Sequence, residues 1–121
     1  QTFGAQHHIP HGLGCAWGLP GVMVYTAKYG KRSDLEEVAD AMDIAFDAQT
    51  DTMELAKALS DRVVALMREL GVKSLRDSGF SLDDCLESAK LFAHDGAFGN
   101  APGTPGIQEI WEYITYTYHT Y

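Results

Sequence analysis

Leu55, Leu59, Val63, Leu66, Met67 and Leu70 recur at the three- and four-residue spacing of one helical face, between Asp51 and Gly71. Asp51 followed by Glu54 is a helix-start pattern, in which side-chain oxygens accept from the first free amides. Gly71 tolerates the left-handed conformation that closes a helix. A single-sided apolar stripe of this length must be covered by other elements, so it sets the architecture. No segment alternates like a half-buried strand and no repeat is visible, which makes the expected class all-α.

The rest of the chain supplies the covering helices. Ser33 with Glu36 has the capping pattern, and Leu35, Val38, Ala39, Met42 and Phe46 follow at helical spacing, which predicts a helix from about Asp34 to Phe46. Ser74 to Asp77 is expected to form one turn. Ser81 with Asp84 opens a further helix that carries Leu82, Cys85, Leu86, Ala89 and Phe92 on one side and stops before Gly96. Thr104 as cap and Pro105 as first helical residue introduce a last helix with the stripe Ile107, Ile110, Trp111, Ile114 and Tyr118. Tyr113 and Tyr116 fall off that stripe, either against a surface supplied by another domain or at a solvent edge. From Cys15 to Tyr29 the apolar residues are almost continuous, which predicts burial on most sides. Gly18, Pro20 and Gly21 predict a kink near Pro20 and reliance on tertiary packing.

A chain of 121 residues, 45% hydrophobic and 21% charged, has the size and composition of one folded domain. Its net charge of −8 and its scattered Lys and Arg, adjacent only at Lys31-Arg32, exclude the basic stripe needed for nucleic acid or an anionic membrane. No apolar run reaches the ~18 residues of a membrane span, and the first residues lack a basic-then-apolar export signal. Cys15 and Cys85 are too far apart in sequence for a zinc knuckle or a redox pair and read as buried free thiols, which suits the cytoplasm.

Chemistry concentrates at the start. His7, His8 and His11 lie within a Gly- and Pro-rich stretch, Gln1 to Gly14, read as a loop or tight turn. Imidazoles suit borderline divalent metals. His7 and His11 have the four-residue spacing of one helical face, but Pro10 opposes a helix through them. The alternatives are polar turn residues, or a loop that holds one imidazole inward. In the second case Pro10 stiffens the approach and Gly12 admits a close neighbour, which would hold His11 at the mouth of a buried helix.

The run Gly4-Ala-Gln-His-His-Ile-Pro-His-Gly-Leu-Gly-Cys-Ala-Trp-Gly-Leu-Pro-Gly-Val-Met resembles the signature of the iron-dependent (group III) alcohol dehydrogenases. In that family a glycine-containing turn leads to Pro-His-Gly and a buried helix with a Leu-Pro pair. The later layout is similar: Ala41-Met42, Leu70-Gly71-Val72, Ser74-Leu75-Arg76, an acidic-capped helix, and a helix opened at Thr104. The resemblance spans essentially all of residues 1–121 but only the family's C-terminal helical half, in a dehydroquinate-synthase-like fold.

The resemblance implies an oxidoreductase that interconverts an alcohol and its aldehyde or ketone, with NAD or NADP on an N-terminal nucleotide-binding domain. It implies a metal, Fe2+ or Zn2+, held by one aspartate and three histidines, of which His11 is the last. The other ligands would precede Gln1, so the chain is expected to be a C-terminal fragment that alone binds metal weakly and is inactive. His7 is expected near nicotinamide or substrate, with a simple turn residue as the alternative. Phe98 is a candidate apolar wall of the substrate pocket beside His94 and Asp95, with a helix C-terminal His94 favoured by the dipole as the leading alternative, and His119 is expected to be solvated. Cys15 stands where the family usually has Asn, Gln1 where it often has a second, non-ligand His, and the Asp95 to Gly103 loop lacks the usual Asn-Pro-Arg ending. The face at Gln1 to Gly12 and Phe98 to Pro102 is expected to be apolar, to meet the nucleotide-binding domain, or to self-associate in its place. The competing readings are a non-catalytic helical interaction module and part of a glycerol-dehydrogenase-like zinc enzyme.

Overall fold

A computed structural model describes residues 2–92 and 101–121, and every regular element among them is a helix. In chain order these are α1 (Thr2–His7), α2 (His11–Tyr29), α3 (Arg32–Ala41), α4 (Thr52–Glu69), α5 (Leu82–Phe92) and α6 (Ile107–Thr120). Among the described residues no helix is long and apolar enough to cross a membrane.

The stripe-bearing segment forms α4 as its ends dictate. The Asp51 carboxylate accepts from the amides of Met53 and Glu54 at 2.9 and 3.1 Å. At the other end Gly71 takes φ +70°. The amides of Val72 and Gly71 then return to the carbonyls of Met67 and Arg68, the paired closure of a Schellman motif. Ser74 to Gly79 turns once, with the Ser74 hydroxyl accepting from the Asp77 amide at 3.0 Å. Ser81 and Asp84 then form a reciprocal capping box for α5.

Five local expectations are corrected. The stretch read as a loop from Gln1 to Gly14 contains α1 and the first turn of α2, which begins at His11 and not at Cys15. The helix expected from Asp34 to Phe46 is α3, Arg32–Ala41, and its Ser33–Glu36 cap is not formed: Glu36 pairs with Arg32 at 2.7 Å. Asp43 is left-handed at φ 56° and Ile44 donates to the Ala39 carbonyl, so Ile44 and Phe46 fold back onto the core from a turn. Thr104, at φ 47°, does not cap α6. The cap is Gly106, whose amide donates to the Glu109 carboxylate at 3.0 Å. The fifth correction concerns burial along α2, which is not on most sides: Trp17, Pro20, Gly21 and Met23 are buried, but Leu19, Val22 and Tyr29 remain exposed.

Two apolar clusters form the core, and α2 belongs to both. Met23 joins Leu35, Leu55, Leu59, Val63 and Met67 between α2, α3 and α4. Trp17 joins Leu75, Cys85, Ala89, Ile110 and Ile114 between α2, α5 and α6. Trp17 also donates its indole N–H to the Lys73 carbonyl at 2.7 Å, which fixes α2 against the segment after α4. The axis that carries His11 at its first residue is therefore held from two sides.

Candidate functional site

Pro10 separates the histidines by geometry. Its ring disfavours a helical conformation at Ile9, so α1 stops. His8 turns left-handed at φ 55°, and the Ile9 amide closes on the Gly4 carbonyl at 2.8 Å. Pro10 then takes the extended N-cap position of α2, and its carbonyl accepts from Leu13 and Gly14. His7 and His11 consequently end one helix and begin another, and they share no face.

Their surroundings differ. His7 is half-buried, with its ring 4.7 Å from that of Phe3 and 5.0 Å from that of Phe80, centroid to centroid, and its Nε2 3.4 Å from the buried Ser88 hydroxyl. Of the three, it is the one turned toward the protein. His8 is exposed at the corner. His11 is exposed at the mouth of α2, with Nε2 3.4 Å from Cys15 Sγ, one helical turn on. Phe98, His94 and Asp95 lie outside the described residues. His119 is exposed near the end of α6, its ring edge-on to Tyr118.

Two residues sit otherwise than the sequence suggested. Cys15, expected to be buried, is exposed, whereas Cys85 is buried and its thiol is pushed up to about 11, mainly by burial and secondly by Asp84. Tyr113, off the stripe of α6, packs along α2 through two gaps in its side chains. Cβ atoms added at Gly18 and Gly21 would lie 2.4 Å from its hydroxyl and 2.7 Å from its ring. Burial, and secondly the nearby Cys15, push that phenol up to about 12.

Beside Tyr113, α2 and α6 border an open groove of about 480 Å³, walled by Tyr25, Tyr29, Trp111 and Tyr116 and edged by the Lys28–Glu112 ion pair. The Tyr25 hydroxyl donates to the Pro102 carbonyl. Burial raises its pKa, as do Tyr29 and Glu109. The sequence signal for this groove was available: Gly18 and Gly21, one turn apart on α2, leave room for the aromatic residues that α6 carries off its own stripe.

The donor chemistry bears on metal binding. His11 and Cys15 present an imidazole nitrogen and a sulfur on adjacent turns of one firmly packed helix, both open to solvent. Among the described residues no three His, Cys, Asp or Glu side chains gather around a common centre. A four-coordinate site needs three or four protein donors, so this pair suits two corners of a site and not a whole one.

In a comparison with protein families, the model described as "Fe-containing alcohol dehydrogenase family, C-terminal" matches residues 1–118. No curated protein and no solved structure matches.

Proposed function

The chain belongs to the Fe-containing alcohol dehydrogenase family, as its C-terminal helical part, and from that premise we propose that it is half of an NAD(P)-dependent, metal-dependent alcohol dehydrogenase. The match over residues 1–118 carries this reading. The substrate is a small alcohol or the corresponding aldehyde or ketone. The nucleotide-binding domain and the remaining ligands come from residues outside this sequence.

His11 is the metal ligand contributed by this chain. As the first residue of a helix packed into both core clusters, its imidazole is presented from a support with little freedom to shift. Fe2+ or Zn2+ held there by His11 and the ligands from outside this sequence would supply Lewis acidity to the substrate oxygen. One imidazole holds such an ion weakly, so the chain alone is inactive. The face around Gln1 to Gly12 meets the nucleotide-binding domain or a second copy; Leu19 and Val22, farther along α2, are exposed as well. His7, whose ring packs against those of Phe3 and Phe80, is assigned to the neighbourhood of nicotinamide or substrate on the family resemblance alone. Two unpaired thiols support the cytoplasm as its location.

The test is the native gene product, captured from its source cells with an antibody against this chain. A mass well above 13.3 kDa, with NAD(P)H oxidation on short aldehydes that needs added iron or zinc and is lost in His11→Ala, supports the reading. A product of this chain's own mass that turns over no aldehyde retires it in favour of a non-catalytic helical module. If only zinc supports turnover and the substrate is a polyol, the glycerol-dehydrogenase-like alternative takes its place.

A further inference from the structure

We propose that Cys15 is a second metal ligand, chelating the ion together with His11. This inference rests on the assignment of His11 as a ligand and adds a donor to it. The argument is geometric. An ion bound at about 2.0 Å from an imidazole nitrogen and about 2.3 Å from a thiolate sulfur holds those two atoms about 3.0 to 3.7 Å apart for neighbouring donors at about 90 to 120°. His11 Nε2 and Cys15 Sγ are 3.4 Å apart, so the spacing of the two donor atoms already matches that of a bridged ion, and a turn of the imidazole ring brings its lone pair onto it.

The support is stiff as well as correctly spaced. Both residues belong to α2 and are separated by one helical turn, so their relative position is fixed by the helix and not by a loop. Two residues after Cys15, Trp17 is buried and anchored to the Lys73 carbonyl. Neither donor is held back by a protein partner: both are exposed, and the only side-chain hydrogen bond the two have among the described residues is to each other. Cys85, the other thiol, is buried and takes no part.

On binding, the Sγ–metal bond forms as the thiol proton passes to solvent, and Nε2 donates its lone pair; nothing is oxidised or reduced. A thiolate is a soft donor, so its addition to imidazole and carboxylate ligands shifts the site's preference from iron toward zinc and cobalt.

Cobalt(II) is the probe, because a thiolate ligand gives an intense charge-transfer band in the near ultraviolet and an imidazole does not. The 121-residue chain, kept reduced, is titrated with cobalt chloride. The expected result is a saturable charge-transfer band that disappears in Cys15→Ser and persists in Cys85→Ser. The apparent dissociation constant should rise about tenfold or more in both Cys15→Ser and His11→Ala. In competition, zinc should displace cobalt and ferrous iron should not. Binding that weakens in His11→Ala, with no charge-transfer band and no response to Cys15→Ser, overturns the role of Cys15 and leaves His11 as a ligand. Indifference to both substitutions, or no saturable binding, overturns the chelate. In that case the assignment of His11 rests on its substitution in the complete enzyme alone.

Discussion

The amide of Gly21 donates to the Thr117 hydroxyl at 3.0 Å, a buried hydrogen bond between α2 and α6 that the absence of a side chain at Gly21 permits. A Cβ at Gly21 would lie 2.5 Å from that hydroxyl oxygen and 2.7 Å from the Tyr113 carbonyl oxygen. The backbone oxygen cannot swing aside. Gly21→Ala should therefore force the two helices apart, at about 2–3 kcal/mol by the usual cost of overpacking a core. Gly14→Ala, with nothing within 4 Å of the added atom, should instead stabilise α2 by about 0.5–1 kcal/mol, because alanine loses less backbone freedom on folding. Urea midpoints of the two variants should move in opposite directions. Equal shifts would mean that α2 and α6 are not in this contact.

The ends of α4 make a second, separable test. Asp51→Ala removes the acceptor for the Met53 and Glu54 amides and should cost about 1 kcal/mol. Gly71→Ala places a side chain at φ +70° with no clash, so its cost of about 1 kcal/mol is purely conformational. Because the two sites lie at opposite ends of the helix and share no partner, the double variant should show the sum. A double variant no less stable than either single one would show that α4 frays as a unit.

Much of this helix, and little of α3's end, could be read from the sequence, for a physical reason. Asp51, Gly71, and the Ser81–Asp84 pair act on amides within three or four residues, so local pattern suffices. Ser33 and Glu36 form an equally good pattern, but Arg32 lies beside Glu36 and also donates to the carbonyls of Asp47 and Thr50, so a distant loop decides the outcome. Thr104 likewise has the right side chain for a cap and the wrong backbone, since φ 47° is left-handed. At the candidate site, the separation of His7 from His11 followed from Pro10. The meeting of His11 with Cys15 did not, because Gly12 and Gly14, poor helix formers, mask the first turn of α2 ahead of the apolar run.

Stability should fall at both extremes of pH, through different groups. Asp47 is lowered by the amides of Gln49 and Thr50 and by the Thr50 hydroxyl, and Asp84 by the Ser81 hydroxyl and amide. A carboxylate lowered in the folded state contributes stability that is complete above its ordinary value and is lost as pH falls through the lowered one. On the alkaline side, Cys85 is raised from 9.0 to about 11 and Tyr113 from 10.0 to about 12. Their contributions are complete below the ordinary values and are lost as pH rises through the raised ones. Melting temperatures at constant ionic strength should therefore drop below about pH 4 and above about pH 9. Asp47→Asn should flatten the acid limb, and Tyr113→Phe the alkaline one.

The two thiols should be chemically distinct in the folded chain. Cys15 lies open on the first turns of α2, whereas Cys85 sits with Ala89, Ile110 and Ile114 in the core and is raised to about 11. A thiol two units above its ordinary value holds about a hundredth of the thiolate at neutral pH, and thiolate is the form that alkylates. Exclusion of the reagent from the core slows Cys85 further. Iodoacetamide should modify one thiol per chain under native conditions, mapped by peptide mass to Cys15, and two once urea unfolds the protein. The rate at Cys85 should follow denaturant along the global unfolding curve, because Cys85 is reached only when α5 and α6 part. If Cys85 is modified at a rate insensitive to low urea, α5 opens locally without the rest, and the cluster around Trp17 is not one cooperative unit.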